Sequence, residues 1–564
     1  MRKRVLVLLS GLLCFSSPLM AENYTLKGDM DSSVRYEISE RINSGDGIQR
    51  LVLSFVIPEG FQSPTYGQEV QDFQLRFRPE PQEKATVRDQ RGNLILTATW
   101  TSPPRALDVS LSCTAASRTN LSGVATSAPF PLNRTGGAEN ADYLLPTAQV
   151  QSSDPRIRHL AGKLAQGVQS QFDAVQRIVS WVVDHVSYVT PPERYDALYA
   201  LESGKGNCQN YSHLSAALLR AAGIPVRIVN GVTLNRPLDI PWAKGILTFK
   251  MGQGRHSWIE VWFPDLGWVP FDAQNSVLFV SNRFIRIEVG VDNEETKNDG
   301  LLRWVQATDA GQPILQESIH AGFKRDRIAV TGVRENYGPK NLLLAPTVLA
   351  SFKQMVVPPP APPPVIPEEE KKLLRYTVPF LFGNLSFPEN VDFAFPRTTM
   401  ATGANRYEMK KNFLVETAEY VTRGVTQYAQ VFVLKKPVQL RKVGMALHNF
   451  GGEGFLWADL FQDRNGKPGV PLATSNLVEL ERLSLKPGYR WQDFSFGKDG
   501  PELMPGRYWI ALGFSGSPVV NWYYTYGKPV GPVDGTRYKG VFEQDWSGAL
   551  GYEFNYRIQG LTVK

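Results

Sequence analysis

The sequence predicts a multidomain chain in which a central α+β unit lies between two β-sandwiches. Three features of the 564 residues predict this order. Apolar and polar residues alternate up to about residue 140, as they do in half-buried strands, and apolar residues recur at helical spacing from about residue 154. Strand-like alternation returns after a proline-rich stretch at residues 357–367. The length fits three or four units, because one domain commonly has about 100–200 residues.

Residues 1–21 are expected to form a signal peptide. Basic residues at positions 2–4 precede an apolar run at 5–15, and Ala21 ends the segment before Glu22. The run is too short to span a bilayer, so the sequence predicts export to a periplasm or to the outside of the cell. No later stretch is apolar over eighteen consecutive residues. No transmembrane segment is therefore expected after signal removal.

Composition excludes several classes of protein. Apolar residues make up 42% of the chain and charged residues 20%, so packed cores are expected and global disorder is not. Loss of residues 1–21 removes three basic residues and lowers the formal net charge from +7 to +4, which is too small to favour nucleic acid as a partner. Three cysteines without a Cys-x-x-Cys pair exclude a disulfide scaffold, and we expect neither a metal nor a cofactor.

Residues 22–145 are predicted to form the N-terminal β-sandwich. Three runs show period-two alternation between clusters of Gly, Pro and Asn, which is typical of half-buried strands. Their apolar positions are Val34, Tyr36 and Ile38, then Leu51, Leu53, Phe55 and Ile57, then Leu107, Val109, Leu111 and Cys113. Because Cys113 continues an apolar face, we interpret it as a buried small side chain.

Residues 146–300 are predicted to form the α+β unit. Pro155 favours a helix start, and apolar residues then recur at helical spacing between Phe172 and Val186. A second helix is expected from near Cys208 to Ala222, where Gly223 and Pro225 end it. Strand-like runs follow at residues 226–232, 256–263 and 268–272.

The remaining chain divides at the prolines. Residues 301–356 have mixed patterning and are left as an extension of uncertain structure, and residues 357–372 are predicted to be an extended linker. Residues 373–564 are predicted to form a second β-sandwich, of jelly-roll type, with a tight hairpin turn at Asn465-Gly466 and a strand at 506–512.

Aromatic residues are numerous in this last unit. Since residues 521–526 alternate little, some of their rings are expected outside the core, where they could stack on a carbohydrate; core packing is the alternative interpretation. The rings concerned are Trp491, Tyr508, Trp509, Trp522, Tyr523, Tyr524, Tyr526 and Trp546.

Cys208 is the candidate nucleophile. It stands at the start of the second predicted helix, where unpaired N–H groups and the helix dipole favour a thiolate. Gly204 and Gly206 permit a close approach of the chain to this helix end. His213, five residues later, points about 140° away around the helix and is interpreted as a packing or polar helper.

His256 and Asp272 are the candidate base and orienting carboxylate. If residues 263–267 form the connection between two strands, Asp272 lies opposite Trp258, one diagonal step from His256 on the same face. It could then accept the imidazole N–H. A four-residue connection would place Asp272 on the other face, so the prediction depends on this register.

Three ordered motifs resemble the transglutaminase-like superfamily of papain-related cysteine enzymes, in a bacterial exported form. They are Gly-x-Cys through Ala-Leu-Leu-Arg-Ala-Ala-Gly-Ile-Pro (206–225), His-x-Trp-x-Glu-Val (256–261) and Gly-Trp-Val-Pro-Phe-Asp (267–272). The resemblance covers about residues 145–290. It implies a papain-like α+β core in which Cys208 attacks an amide, His256 is the base and Asp272 orients it. Asn210 departs from the family, where this position is often acidic.

The second donor of an oxyanion hole is left open among Tyr188, Tyr195 and Gln209, beside the backbone N–H of Cys208. The predicted function is cysteine-dependent acyl transfer on peptide or isopeptide amides through a thioester, with hydrolysis favoured and protein cross-linking as the alternative. Its partner would be a protein or a cell-wall peptide. A non-catalytic scaffold with a relic core is the alternative of another class.

Overall fold

The computed structural model describes residues 24–121, 124–133, 136–189, 191–234, 236, 238–242, 245–249, 253–274, 280–307, 311–334, 367–383, 390–391, 397–411, 415–416, 418–422, 426–485, 489–525, 536–540, 545–550 and 553–564. The predicted signal peptide and residues 357–366 of the predicted linker lie outside these ranges. Within the described ranges, no helix combines the length and the apolar character that crossing a membrane requires.

Strands dominate the first part of the chain, and helices appear in the centre. The first strands are β1 (Tyr24–Asn43), β2 (Ile48–Ile57), β3 (Phe61–Gln62), β4 (Tyr66–Arg78), β5 (Glu83–Arg88), β6 (Leu94–Thr101) and β7 (Ala106–Asn120). The helices are a 3-10 turn (Ala138–Leu144), α1 (Pro155–Leu164), α2 (Gln171–His185), α3 (Ala197–Ser203) and α4 (Cys208–Ala221). The central strands are β8 (Ser187–Tyr188), β9 (Lys205–Gly206), β10 (Val226–Thr233), β11 (Leu238–Trp242), β12 (Gly245–Phe249), β13 (Gln253–Phe263), β14 (Gly267–Phe271) and β15 (Phe284–Gly290).

The remaining part is again rich in strands. It begins with β16 (Leu301–Gln306), β17 (Ile314–Arg334), the short helix α5 (Glu368–Lys371), β18 (Tyr376–Gly383), β19 (Asn390–Val391), β20 (Arg397–Gly403), β21 (Arg406–Lys411), β22 (Val415–Glu416) and β23 (Ala418–Tyr420). It continues with β24 (Thr426–Leu434), β25 (Val438–Gly451), β26 (Gly454–Arg464), β27 (Lys467–Thr474), β28 (Val478–Glu479), a 3-10 turn (Leu480–Arg482), β29 (Tyr489–Ser495), β30 (Glu502–Leu503) and β31 (Gly506–Gly516). The last strands are β32 (Val519–Thr525), β33 (Thr536–Gly540), β34 (Ser547–Leu550), β35 (Glu553–Phe554) and β36 (Tyr556–Val563).

Two sheets share the N-terminal core. Their strand orders are β17-β1-β7-β4-β3 and β20-β21-β16-β2-β6-β5. The apolar positions predicted from alternation line this core: Val34, Ile38, Leu53, Leu107 and Cys113 are all buried and belong to one hydrophobic cluster. Period-two patterning thus identified these strands correctly, and Cys113 is buried as expected. The overall β-rich, multidomain architecture is confirmed, while the specific sandwich arrangement stays a prediction.

The N-terminal sheets recruit strands from distant parts of the chain. β17 pairs with β1 along its length, from Tyr24 opposite Arg334 to Asn43 opposite Ile314. β16 pairs with β2 on one side and with β21 on the other. Residues 301–306 and 314–334, which lie in the segment without an assignment from sequence, are therefore sheet strands. Residues 397–411, which were placed with the C-terminal unit, join an N-terminal sheet, so the sheets cross the predicted boundary at residue 373.

The central unit packs helix α4 on an antiparallel sheet with the order β14-β13-β10-β15. Leu214 and Leu218 of α4 lie in one hydrophobic cluster with Ile228 and Ile259 of the sheet. Asp154 caps α1 by accepting a hydrogen bond from the Arg156 N–H, as the Asp-Pro start predicts. The order of helices followed by strands is as the sequence predicted.

The hairpin turn at Asn465-Gly466 is confirmed. Arg464 pairs with Lys467 across a two-residue loop. Asn465 and Gly466 have φ angles of 56° and 76°. Two consecutive positive φ angles match the right-handed twist of the flanking strands, and Asn-Gly adopts them at little cost.

The aromatic residues of the C-terminal part belong mainly to its core. Trp522, Tyr523 and Tyr524 are at most 1% exposed, and Trp509 is fully buried. The Trp522 ring stacks on Phe554 with 4.4 Å between ring centroids. For these three rings of the 521–526 stretch, the alternative interpretation of core packing is the correct one. Tyr526 lies outside the described residues.

Candidate active site

Cys208 occupies the first turn of α4, and the helix start is tightly capped. Asn207 is the N-cap, and its Oδ1 accepts the Gln209 N–H at 3.1 Å. Asn210 Oδ1 accepts the Asn207 N–H at 3.1 Å, which completes a capping box. Cys208 itself is fully buried. The thiol thus lies where the N-terminal end of the helix dipole stabilises negative charge.

Glycines hold the chain close to this helix end. Gly204 ends α3 with φ 62°, a left-handed conformation that favours glycine. A Cβ at Gly206 would lie 2.3 Å from Cβ of Asn210, which no side chain could accept. Both glycines that the sequence singled out therefore have a steric reason to be where they are.

Asn210, the residue that departs from the family pattern, makes hydrogen bonds through both the oxygen and the nitrogen of its side-chain amide. Its Oδ1 serves the capping box, and its Nδ2 donates to the carbonyl oxygens of Arg194 at 2.9 Å and Asp196 at 3.2 Å. A carboxylate could accept but could not donate to these carbonyls. The amide therefore ties the loop before α3 to the helix that carries Cys208.

Replacing Asn210 with alanine should lower the free energy of unfolding by about 2 kcal/mol, because it removes a capping oxygen and the hydrogen bonds that Nδ2 donates to two carbonyls. Urea unfolding followed by circular dichroism measures this change. Asn210→Asp separates the two contributions, since it keeps an acceptor and loses both donors, and we expect a smaller loss. An unchanged unfolding midpoint for Asn210→Ala would contradict the role given to this amide.

The β13-β14 hairpin has the register on which the site prediction depends. Phe263 pairs with Gly267, and Ile259 pairs with Phe271. Asp272 follows Phe271 directly and so comes level with Trp258. Gly267 has φ 73°, which suits the tight end of this hairpin. The five-residue connection is confirmed, and the four-residue alternative is excluded.

His256 and Asp272 meet as this register requires. His256 Nε2 lies 3.3 Å from Asp272 Oδ1, and both residues are fully buried. The backbone N–H of Gln274 also donates to Asp272 Oδ1, at 3.1 Å. The rings of Trp258 and Phe284 flank His256, with centroids 6.0 and 5.4 Å away. The imidazole is therefore held between a carboxylate and two aromatic walls.

The electrostatics of His256 favour its charged form. Burial by itself lowers its pKa, but the charge of Asp272, the hydrogen bond to Asp272 and the neighbouring Cys208 raise the pKa to about 9. His256 thus interacts with both Asp272 and Cys208. Such an arrangement supports a thiolate beside an imidazolium and a proton transfer between the two.

Glu260 of the second motif has a structural position. Arg227 and Arg286 both donate to its carboxylate, at 2.6 and 2.8 Å. Although burial raises the pKa of Glu260, the two guanidinium groups lower it below its ordinary value. Glu260 therefore joins three neighbouring strands of the central sheet through buried ion pairs.

A cavity of about 320 Å³ lies beside the start of α4. Its wall includes Tyr195, Gln209, Gly231 and Asn293. Gln209 Nε2 and Asn293 Oδ1 are buried and have no hydrogen-bond partner among the described residues. Lys410 and Glu294 on the wall form an ion pair. The side-chain amides of Gln209, which follows Cys208, and of Asn293 therefore lie on the cavity wall.

Tyr188 and His213, which the sequence also singled out, both make defined contacts in the structure. Tyr188 is buried in β8, whose backbone pairs with Gly206. His213 Nδ1 lies 2.6 Å from the carbonyl oxygen of Tyr195, and Nε2 accepts the Asn293 N–H at 3.3 Å. His213 is thus a polar helper, as expected, because it links two segments of the cavity wall.

Two contributors to this region were missed. Asn293 lies in a loop with no motif, and the pairing of β22 with Gln253-Gly254, just before His256, brings in backbone from the C-terminal part. No signal in the sequence reveals either contact, because the partners are distant in the chain. His213 and Asn293 lie more than sixty residues apart, and Gln253-Gly254 and β22 lie farther apart still.

Comparison with known proteins places this region in a family. The model of the transglutaminase-like superfamily matches residues 158–273. A protein of Bacillus subtilis named YebA, which is uncharacterised, is 33% identical over 125 residues, covering 21% of this chain and 17% of the relative. A Pseudomonas aeruginosa protein named protein-glutamine gamma-glutamyltransferase is 30% identical over 132 residues, covering 22% of this chain and 19% of the relative.

The structural comparison is weaker. A Cytophaga hutchinsonii structure described as a candidate cysteine protease is 18% identical, with a TM-score of 0.36, and the match covers 57% of this chain and 98% of that one. A likeness at this level says nothing about activity. The chain spans less than a fifth of the length of both curated relatives. The matched region contains Cys208, His256 and Asp272. Residues 158–273 therefore form a core that matches the transglutaminase-like superfamily.

Proposed function

We propose that the protein is an exported cysteine-dependent enzyme that hydrolyses peptide or isopeptide amides through a thioester. The observation that carries the proposal is the buried His256–Asp272 pair, whose imidazole interacts with Cys208 at the start of α4. The substrate class we propose is a protein or a cell-wall peptide. Export rests on the predicted signal peptide, and an N-terminus of the mature protein at Glu22, read by mass spectrometry, tests it.

The proposed mechanism uses each of the three residues. Cys208 Sγ attacks the amide carbonyl carbon as a thiolate, and a carbon–sulfur bond forms. The tetrahedral intermediate collapses, the carbon–nitrogen bond breaks, and His256 gives its proton to the leaving amine. Neutral His256 then takes a proton from water, whose oxygen attacks the thioester, and the acid product and Cys208 thiolate are released. Asp272 stabilises the imidazolium and holds its orientation.

The pH dependence follows from the raised pKa of His256. Amide cleavage needs the imidazolium to protonate the leaving amine, so turnover should persist to about pH 9 and fall above it. Asp272→Asn removes the negative charge that favours the imidazolium, so its alkaline limb should move to lower pH by at least about one unit. Plots of kcat/KM against pH for both forms measure the shift. A limb at the same or higher pH in Asp272→Asn would refute the role of Asp272.

Cross-linking is a second candidate, favoured by one observation. The matched Pseudomonas aeruginosa relative is named a protein-glutamine gamma-glutamyltransferase. An amine can attack the same thioester in place of water. Incubation of the enzyme with a glutamine-containing protein and a fluorescent amine distinguishes the two, because incorporated label indicates transamidation and released acid indicates hydrolysis.

A scaffold with a relic core makes a different prediction for thiol reactivity. Cys113 and Cys208 are both fully buried, so exposure does not distinguish them. Burial raises the pKa of Cys113 to about 11, whereas Cys208 interacts with a histidine that favours its positive form. We expect a thiol probe to label Cys208 faster at neutral pH. Equal, slow labelling of both cysteines would favour the scaffold.

A further inference from the structure

Gln209 has an amide donor with no assigned use. It follows Cys208 in the first turn of α4, and its side chain is 4% exposed. Nε2 is buried and has no hydrogen-bond partner among the described residues. Buried donors in folded proteins almost always have a partner, so an unmade bond at such a position calls for a functional explanation.

The position of this donor points to the reacting carbonyl. Gln209 lines the cavity beside α4 together with Gly231. Gly231 is paired with His256 across β10 and β13. The cavity is therefore lined both by Gln209, which follows the nucleophile, and by Gly231, which is the strand partner of His256. A carbonyl attacked by Cys208 would direct its oxygen towards the N–H groups at the start of α4.

The other candidate donors fit less well. Tyr188 and Tyr195 already take part in other interactions. Within the part of the chain that the structure describes, Gln274 also has a buried amide without a partner, but it is not among the residues that line this cavity. Gln209 combines a donor that no described residue satisfies, a place on the cavity wall and direct adjacency to Cys208.

Resting on the proposed function, we propose that Gln209 is a catalytic residue that completes the oxyanion hole. As Sγ of Cys208 bonds to the carbonyl carbon, the π electron pair moves to oxygen, and Nε2 of Gln209 donates a hydrogen bond to that oxyanion. No proton is transferred in this step. The bond is made in the transition state and stabilises the developing charge.

Two reactions at the same thiol test the proposal without knowledge of the substrate. p-Nitrophenyl acetate acylates Cys208 through an oxyanion, whereas iodoacetamide alkylates it by displacement of iodide, with no oxyanion. In the mature chain, Gln209→Ala should slow acylation by about 100-fold and leave alkylation within about twofold. The control Gln176→Ala, on α2, should leave both rates as in the wild type. An unchanged ratio of the two rates in Gln209→Ala would overturn the proposal.

The remaining arms separate the competing explanations. An equal loss of both rates in Gln209→Ala would mean that the residue maintains the thiolate or the fold, and the proposal would be wrong. A selective loss of acylation in Tyr188→Phe or Tyr195→Phe, with none in Gln209→Ala, would assign the donor to that tyrosine. Cys208→Ala sets the background for both reagents. If wild-type Cys208 reacts with neither reagent faster than Cys113 does, the proposed function fails and this inference fails with it.

Discussion

Cys208→Ala is expected to abolish amide cleavage while the chain folds normally. The substitution removes only Sγ, the atom that forms the thioester, and neither water nor a neighbouring side chain replaces it. Where the nucleophile of a comparable triad is removed, the rate falls by about 10⁶-fold. Alanine is smaller than cysteine and suits a helix interior, so the buried start of α4 should persist. The loss should therefore appear in kcat and not in the unfolding midpoint.

Mass spectrometry of cell-wall fragments and secreted proteins, after incubation with wild type or Cys208→Ala, is the measurement. Cleavage, deamidation and cross-linking each change the mass of the substrate by a different amount, so this measurement separates them. Cys113→Ala is the matched control, because Cys113 is also buried but lies in the N-terminal sheet and should leave turnover unchanged. If Cys208→Ala retains wild-type turnover on any amide that the wild type cleaves, the thioester mechanism is wrong.

Local patterns predicted the parts of the fold that local forces determine. Helix α4 begins at Cys208 and ends before Gly223, since the capping residues and the glycine act within one turn. The β13-β14 register followed from the length of one short connection, and it sufficed to bring Asp272 to His256. The geometry of the candidate site was thus largely accessible from sequence.

Long-range pairings were not accessible. β17 completes a sheet with β1 from almost three hundred residues away, and alternation shows that a segment is a strand without showing its partner. Burial on both faces of β32 likewise leaves no alternation, so the sequence does not distinguish core from exposed rings at Trp522 and its neighbours. The amide of Gln209 has no hydrogen-bond partner among the described residues, and a sequence motif carries no such information.

His256→Gln should lower amide turnover by about 10⁶-fold, which is the scale expected when a triad loses its base. Glutamine keeps a polar side chain near Asp272 but can neither take a proton from Cys208 nor deliver one to a leaving amine. Iodoacetamide labelling of Cys208 at neutral pH should also slow, because the imidazolium that favours the thiolate is gone. His159→Gln is the control, since His159 is exposed on α1 and far along the chain from the site.

The two readouts together distinguish a base from a residue that only supports the fold. Because the pKa of His256 is raised in the folded chain, its imidazolium stabilises the fold below about pH 9, and His256→Gln loses that stability. Labelling and turnover are therefore compared at one fixed pH at which both forms are folded. Under that condition, a variant that labels as fast as wild type and still cleaves amides would show that another group activates Cys208. Because His256 is the partner that the described structure joins to both Cys208 and Asp272, that outcome would remove the basis for the whole proposed mechanism.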